Sequence, residues 1–382
     1  CSSTPEGDVP VAPAPPSRHG ALRAALADEA RAFPVKDGDV WGDLGDAPFF
    51  GLAWLARRAE AGELDAEDLA RRDAMVARAR ALLGLIEHVA ASGDRAEVPV
   101  LDSFVDRLDS LVATFGDYLD EAADQSWAVR SYGPTSVTAL VALVEAQYAL
   151  LVGGPRADER RDRAAALERA ITGVAFGDLV APGTGQSVRA YAFAPDRREL
   201  FLYPNVAMIL LEARLFRLTR DEAYRLVARA LYGAIQPLKL SDAPARYASP
   251  YAAPSLGVGP REVTTLSSHG YLALALSLLF EITGEARFSA EADRVFDGIE
   301  AMRGPYCASH VDDGAVCAPA CGASQACVQG ACEADRCATG ILHHVVRARL
   351  AEPGDGVVFC SGCNLEALYA LGYRRALAGE PY

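Results

Sequence analysis

The chain has 382 residues, of which 51% are hydrophobic and 23% are charged, and its formal net charge at pH 7 is −14. This length and apolar content allow a sizeable buried core, so the composition excludes a disordered chain. No run of Lys or Arg stands out, which argues against nucleic acid as a partner and leaves no basic patch for anionic lipid.

Residues 1–17 are rich in proline and small polar side chains, which predicts an extended tether. Cys1 begins this tether, and the eight other cysteines lie between Cys307 and Cys363 and can pair among themselves. A cysteine ahead of a Pro-rich segment resembles the mature start of a bacterial lipoprotein, whose signal peptide has been removed. The resemblance implies a lipid anchor on Cys1, and Ser2 in place of aspartate implies the outer membrane of the cell envelope. The alternative is a sequence that simply begins at a cysteine.

Helical patterns built from Ala, Leu, Arg and Glu dominate the rest of the chain. The apolar stretch 135–152 is marginal in length for a membrane span and carries Glu145 near its middle, so we expect a buried core helix. The predicted helices lie near residues 18–33, 48–62, 66–91, 101–124, 136–152, 156–174, 202–217, 220–237, 267–282, 285–302 and 364–378.

An internal repeat relates residues 205–235 to residues 269–299 with an offset of 64, and a third, partial copy starts at Asn364. Each full copy is an apolar helix, a tight turn and an amphipathic helix with one charged face. A helix that is apolar nearly all round must be covered on every side. Alternating inner and outer helices can therefore form a closed double ring, and a curved solenoid of helix pairs is the alternative.

Connections from an outer helix to the next inner helix are long and carry alternating, strand-like segments. Residues 187–205 and 341–364 are predicted as hairpins that turn through a proline with Asp or Gly. Each ends in an asparagine, Asn205 or Asn364, that can cap the following helix. Long loops that gather at one end of a rigid scaffold are the expected place for function.

These helical hairpins, with the phrase L-x-x-I-T-G-x-x-x-F/Y, resemble the (α/α)-toroid class, which includes six-hairpin glycosidases, sugar 2-epimerases and uronyl epimerases. The resemblance covers roughly residues 130–302 and 364–378. It implies a mainly α fold: a toroid of helical hairpins over residues 18–382, with short β-hairpin loops on one face and a disulfide-rich insert at 303–340. Helix 18–33 is expected to return and close the ring beside helix 364–378.

The cysteine cluster lies in a stretch of Gly, Ala and Pro that cannot build a core of its own. Either disulfides or zinc thiolates could hold it together, and His343 and His344 near the last cysteine pair are compatible with zinc. An oxidising compartment favours disulfides, so we predict no metal. The cysteines predicted to pair are Cys307, Cys317, Cys321, Cys327, Cys332, Cys337, Cys360 and Cys363.

Residues just before each inner helix are expected to line the mouth of the ring. The predicted catalytic candidates are Glu262, His269, Asp46 and Glu366. The predicted substrate-binding residues are Trp41, Tyr132, Tyr203, Asn205, Arg261 and Asn364. Aromatic rings stack on sugars, hydroxyls bond to amides and carboxylates, and converging helix N-termini favour an anionic ligand such as a uronic acid.

Each candidate also has a structural interpretation. Glu262 can be a surface ion pair with Arg261, His269 a satisfied core histidine, and Asp46 a helix cap, while Asn205 and Asn364 can be caps as well. Glycoside hydrolysis needs two carboxyls across the scissile bond, whereas a lyase or epimerase abstracts a proton and could use His269.

No P-loop, dinucleotide glycine fingerprint or G-x-S-x-G elbow is present, so no cofactor is predicted. The sequence therefore predicts an exported lipoprotein that acts on glycans as a hydrolase, lyase or epimerase. The alternative is a non-catalytic lipoprotein that binds a glycan or a protein, and the oligomeric state stays open.

Overall fold

The structure is a computed structural model that describes residues 105, 134–193, 197–249, 262–307, 319–328, 331–335, 337–352 and 361–380. The predicted tether, the predicted helices between residues 18 and 124, and the proposed ring closure by helix 18–33 lie outside these residues, apart from Val105. The helices are α1 Pro134–Val152, α2 Gly154–Ala175, α3 Leu202–Thr219, α4 Glu222–Ala234, α5 Leu266–Thr283, α6 Ala286–Glu300 and α7 Ser361–Leu377.

Short turns join α1 to α2, α3 to α4 and α5 to α6, while long connectors join α2 to α3, α4 to α5 and α6 to α7. The odd-numbered helices pack against one another in the order α1, α3, α5, α7, and each of the first three packs against the even-numbered helix that follows it. The odd-numbered helices are therefore the inner layer and the even-numbered helices the outer layer. The predicted (α/α)-toroid arrangement is confirmed for the part of the chain that the structure describes.

Strands occur in the long connectors, as the sequence predicts. The first connector has β1 Phe176–Val180 and β2 Ser187–Tyr191, and the second has β3 Lys239–Asp242, β4 Ala245–Tyr247 and β5 Val263–Thr265. The third has β6 Arg303–Cys307, β7 Gln325–Val328, β8 Ala331–Ala334, β9 Cys337–Ile341, β10 His344–Val346 and β11 Arg349–Leu350. A single 3₁₀ turn, Gln236–Leu238, ends the hairpin of α3 and α4.

The pairing inside the connectors differs from the predicted hairpins. Strand β2 pairs with β1, and Val180 of β1 also bridges Glu199 in parallel, so β1 lies between the two segments predicted to pair with each other. In the third connector, β10 pairs with β11 through a tight turn at Arg347 and Ala348, whose φ angles are 48° and 66°. Alternation marks a strand correctly, but it does not identify the partner strand.

Both full copies of the repeat end their inner helix in the same way. Thr219 and Thr283 each bond to the carbonyl four residues back, at 2.8 and 2.6 Å, and each accepts from the amide two residues on. The residue after each threonine, Arg220 or Gly284, has a left-handed φ of 59° or 70° and closes the helix onto its last turn. The offset of 64 therefore corresponds to a real structural repeat.

Helix α5 is buried along almost all of its length. Among the described residues it is the one helix long and apolar enough to cross a membrane, yet 83% of it is buried inside the protein. Glu145 in the apolar helix α1 is fully buried as well. Its carboxylate lies 3.3 Å from Arg160 and 3.4 Å from Arg163, both on α2. A buried carboxyl in an apolar inner helix thus lies beside arginines of its outer partner helix, as a core helix requires.

The C-terminal ends of three inner helices meet in one polar cluster. The Tyr373 hydroxyl on α7 donates to Glu281 Oε2 on α5 at 2.5 Å and accepts from Arg214 Nη1 on α3 at 3.2 Å. Arg217 Nη1 also lies 3.3 Å from Glu281 Oε1. Because α5 stands between α3 and α7 in the packing order, the Arg214–Tyr373 contact shows that the inner layer curves around a shared interior.

Candidate functional site

The long connectors lie on the face of the ring formed by the N-terminal ends of the inner helices. Two of them are joined directly, since β10 of the third connector pairs with β5 of the second, with His344 opposite Thr265. The Leu266 amide at the start of α5 also donates to the His343 carbonyl at 2.8 Å. The expectation that the connectors gather on one face is confirmed for these two.

Tyrosines and a carboxyl follow the inward faces of the inner helices at this end. The rings of Tyr203 on α3 and Tyr271 on α5 meet edge to face, with centroids 5.5 Å apart. On α7, Glu366, Tyr369 and Tyr373 follow one another at spacings of three and four residues and therefore share one face. Tyr373 points to α3 and α5, so that face looks into the ring.

We call Tyr203, Tyr271, Glu366 and Tyr369 the inner tyrosine cluster. Each of its three tyrosines keeps only 5–6% of its surface accessible, so these side chains are almost completely buried. Of these four residues, Tyr203 and Glu366 are candidates from the sequence. Tyr271 lies in a segment that the sequence places at the mouth of the ring, whereas Tyr369 was missed, although its spacing of three residues from Glu366 could have revealed it.

Glu262, the first catalytic candidate, precedes β5 and holds the β10–β11 turn. Its two carboxylate oxygens accept from Arg347 Nε at 2.6 Å and Arg347 Nη2 at 3.3 Å. The Glu262 side chain is 33% exposed and that of Arg347 is 61% exposed. The structure thus places Glu262 in an ion pair at the rim. Its partner is Arg347, whereas the sequence suggested Arg261.

His269, the second candidate, is fully buried in the first turn of α5. Its Nδ1 lies 2.9 Å from the Thr265 carbonyl, and its Nε2 accepts from the Tyr247 amide at 2.9 Å. The Nδ1 atom must therefore carry the proton, and the ring is neutral. Burial lowers the pKa of His269 to about 4, which keeps the ring in this form near neutral pH. Both ring nitrogens of His269 are therefore already bonded to backbone groups of the protein.

Asn205 and Asn364 are buried in the same part of their own helices. Asn205 accepts from the Tyr191 amide at 2.8 Å and donates to the carbonyls of Tyr191 and Phe201 at 2.9 and 2.8 Å. Asn364 donates to the Ile341 carbonyl at 3.2 Å. With the offset of 64, Asn205 falls on His269, so each of the three side chains fastens the preceding connector to an inner helix.

The predicted role of Asn205 and Asn364 as helix caps is therefore wrong. Helix α3 begins at Leu202, and its N-cap residue Phe201 makes no capping side-chain bond. Helix α7 begins at Ser361, so both asparagines lie within the first turn. Their amides face the backbone of a connector strand, a contact that local helix-start signals do not reveal.

The cysteine-rich insert contains disulfides, as predicted. Cys307 bonds to Cys337 across β6 and β9, and Cys321 bonds to Cys332. Cys327 and Cys363 are disulfide-bonded as well. Several of the predicted residues lie outside the described ranges, and their assignments stay predictions: Cys1, Trp41, Asp46, Tyr132, Arg261, Cys317 and Cys360.

Comparisons with known proteins find similarity in shape alone. No protein-family model matches the chain, and no curated protein matches it. A family 76 glycoside hydrolase (mannosidase) from Bacteroides thetaiotaomicron is 12% identical, with a TM-score of 0.43 over 61% of this chain and 62% of that one. The α-1,6-mannanase of Salegentibacter sp. HEL1_6, as an inactive variant with α-1,6-mannotriose, is 14% identical, with a TM-score of 0.42.

The mannanase match covers 59% of this chain and 60% of that chain. An unsaturated glucuronyl hydrolase specific for heparin is 10% identical, with a TM-score of 0.39 over 80% of this chain and 86% of that one. Similarity at this level does not identify an activity, because one fold hosts many functions. What the structure itself assembles is a ring of helical hairpins in which Tyr203 and Tyr271 meet edge to face, while Glu366, Tyr369 and Tyr373 share one face of α7.

Proposed function

We propose that the protein is an exported, glycan-active enzyme whose sugar-binding pocket lies at the connector end of the ring. The observation that carries the proposal is the inner tyrosine cluster: Tyr203 and Tyr271 meet edge to face, and Tyr369 shares one face of α7 with Glu366. Tyrosine rings offer apolar faces to the C–H faces of a sugar, and their hydroxyls reach its oxygens. A carboxyl among them supplies the group that glycoside hydrolysis, lyase or epimerase chemistry requires.

In this proposal Glu366 acts as the acid or base of the reaction, and the tyrosines hold the sugar ring. Hydrolysis needs a second carboxyl across the scissile bond. Asp46 is the candidate for that role from the sequence, while Glu262 is held by Arg347 at the rim. The ligand class is an oligosaccharide, and the converging N-termini of the inner helices favour one that carries a carboxylate.

The test is a screen of uronic-acid and mannan oligosaccharides for turnover and, separately, for binding by calorimetry. Glu366→Gln should reduce turnover by at least about a hundredfold, the scale expected for loss of a general acid or base, while binding is retained. Glu222→Gln is the matched control, because Glu222 is 58% exposed on the outer helix α4, where it pairs with Arg225. Unchanged turnover in Glu366→Gln would remove Glu366 from the mechanism.

A non-catalytic glycan-binding protein is the second candidate function. It is favoured by the state of two predicted catalytic residues, since Glu262 is held in an ion pair and both nitrogens of His269 serve the fold. A binding protein would show no turnover with any glycan in the screen. It would still lose glycan binding in Tyr271→Ala, because sugar rings stack on aromatic side chains.

Export and the lipid anchor on Cys1 belong to the same proposal. The disulfides of the insert support maturation in an oxidising compartment, where paired cysteines persist. The mass of the native protein tests the anchor directly, because acyl chains on Cys1 add to the mass of the polypeptide. An unmodified Cys1 in protein isolated from membranes would contradict the anchor and, with it, the predicted outer-membrane location.

A further inference from the structure

A cluster of buried polar side chains lies between α2, α3 and the first connector. Glu168 on α2 accepts from Thr172 at 2.6 Å, and the Thr172 hydroxyl lies 2.7 Å from the hydroxyl of Tyr191 at the end of β2. Glu212 on α3 is 1% exposed and is close enough to act on Glu168 and Tyr191 electrostatically. The backbone of Tyr191 is held by Asn205, so this tyrosine docks the connector on both helices.

Glu212 has no cationic partner in the part of the chain that the structure describes. The polar side chains that act on its carboxyl most strongly are those of Glu168 and Tyr191, and neither is a cation. The titratable groups that face it are Glu168 from α2 and Tyr191 from β2, with Tyr224 of α4 beyond them. A second negative charge beside Glu168 in a buried site would be strongly unfavourable.

The second connector provides a built-in comparison. Tyr247 of β4 has its amide bonded to His269, and its hydroxyl donates to the buried Glu291 at 2.7 Å. Glu291, however, lies 2.8 Å from Lys239 Nζ and 2.9 Å from Arg294 Nε, so its charge is compensated. The pKa of Glu291 is lowered by these partners against the effect of burial. Two connectors thus dock through a tyrosine on a buried glutamate, and only Glu291 has cations beside it in the described residues.

We propose that Glu212 holds a proton at neutral pH and that loss of this proton to solvent at alkaline pH releases the β1–β2 connector from α2 and α3. In the protonated form the carboxyl is neutral and tolerates Glu168 as a neighbour. In the ionised form it repels Glu168 and is drawn towards water, and departure of Tyr191 opens the site to solvent. The first connector then opens while the second, docked on the compensated Glu291, stays in place.

The sign of the pH dependence follows from the direction of the shift. Burial, followed by the charge of Glu168, raises the pKa of Glu212 to about 9. A group whose pKa is raised in the closed state favours that state most below its ordinary pKa of about 4.5, and the preference is lost as the pH rises through about 9. In this window the opening constant should increase by about tenfold per pH unit, the limit for one proton.

Amide hydrogen exchange on the full chain between about pH 6 and pH 9 tests this proposal. Expressed as protection factors, exchange at residues 187–192 should lose protection by about tenfold per pH unit in the wild type, and the Glu212→Gln variant should show no such slope. Exchange at residues 239–247 should keep its protection in both. The matched control is Glu222→Gln on the exposed start of α4, which should keep the wild-type slope.

A direct readout of the proton is infrared difference spectroscopy, in which the carbonyl stretch of a protonated carboxyl should disappear in Glu212→Gln. If that variant does not fold, Glu168→Gln replaces it and should move the pH at which the loss of protection levels off below about 9, since it removes the repelling charge. An equal slope in the wild type and in Glu212→Gln, or an unchanged levelling pH in Glu168→Gln, would overturn the proposal. Stabilisation of the wild type by millimolar calcium would overturn it too, because a cation would then occupy the place of the proton. The proposal does not depend on whether the protein acts on glycans.

Discussion

Acidification should destabilise this protein through His269, because its ring must stay neutral in the folded state. The ring donates from Nδ1 to the Thr265 carbonyl and accepts at Nε2 from the Tyr247 amide. A proton added at Nε2 would face an N–H donor across 2.9 Å and break the bond that holds β4. The perturbation is thus a single protonation at a defined atom.

The size of the effect follows from the pKa. Burial lowers the pKa of His269 from 6.5 to about 4. A lowered pKa means that the unfolded chain binds the proton first, so the contribution is complete above pH 6.5 and is lost as the pH falls towards 4. At about 1.4 kcal/mol per pKa unit, the free energy of unfolding should fall by about 3 kcal/mol over this range from His269 alone.

Urea denaturation of the wild type and of His269→Gln at several pH values between 7 and 4 isolates this contribution. The Gln side chain cannot take up a proton, and its Oε1 reaches the position from which Nε2 accepts. We therefore expect the wild type to lose about 3 kcal/mol more than the variant on acidification. His269→Ala should cost about 2–4 kcal/mol already at pH 7, because it leaves the buried Tyr247 amide and Thr265 carbonyl without partners.

Equal losses in wild type and His269→Gln would refute this reasoning, and so would a His269 that titrates near 6.5 in the folded protein. The same variant addresses the catalytic prediction for His269. If turnover is found in the glycan screen, a structural His269 should allow His269→Gln to keep most of it, whereas a catalytic base should not.

Three further predictions concern the packing of the ring. Asn205→Ala should lower the free energy of unfolding by about 3 kcal/mol in urea titration, because it leaves the backbone at the end of β2 unsatisfied; a change below about 0.5 kcal/mol would contradict the fastening role. Gly270→Ala should cost about 1–3 kcal/mol, since the new Cβ would lie 3.0 Å from the backbone of α7, whereas Gly173→Ala on α2 meets nothing within 4 Å and should be neutral or stabilising. Reduction of Cys307–Cys337 should make the insert sensitive to limited proteolysis while the far-UV circular dichroism of the helices is retained. Loss of the helical signal together with the protease resistance of the insert would show instead that the insert supports the ring.

The helical layer was predictable because its signals are local. The offset of 64 located two helix pairs, and the structure gives them matching ends at Thr219 and Thr283. Apolar character all round identified the inner helices, and their bounds agree with the structure to within about three residues. Disulfide pairing in the insert was expected on the grounds of compartment, although the partners could not be assigned from sequence.

Other features depend on contacts between distant segments and could not be predicted. The partner of β2 is β1, which follows directly from α2 and carries only a short alternating pattern. Asn205 looked like a cap because asparagine favours that position, yet its amide is used by a strand fourteen residues earlier. The ion pair of Glu262 with Arg347 joins residues 85 positions apart, so Arg261, its neighbour in sequence, was the only partner that local reasoning could offer.

A disulfide across β6 and β9 closes the base of the insert, so changes in the length of the insert need not disturb the helices. Cys307 and Cys337 face each other on β6 and β9 and are covalently joined, so the ends of residues 308–336 are fixed to one another independently of what lies between. The entropy of closing such a loop grows only slowly with its length. Residues 308–336 could therefore be shortened, lengthened or replaced by an unrelated module with little effect on the helices, which makes this site a natural attachment point for a grafted recognition domain.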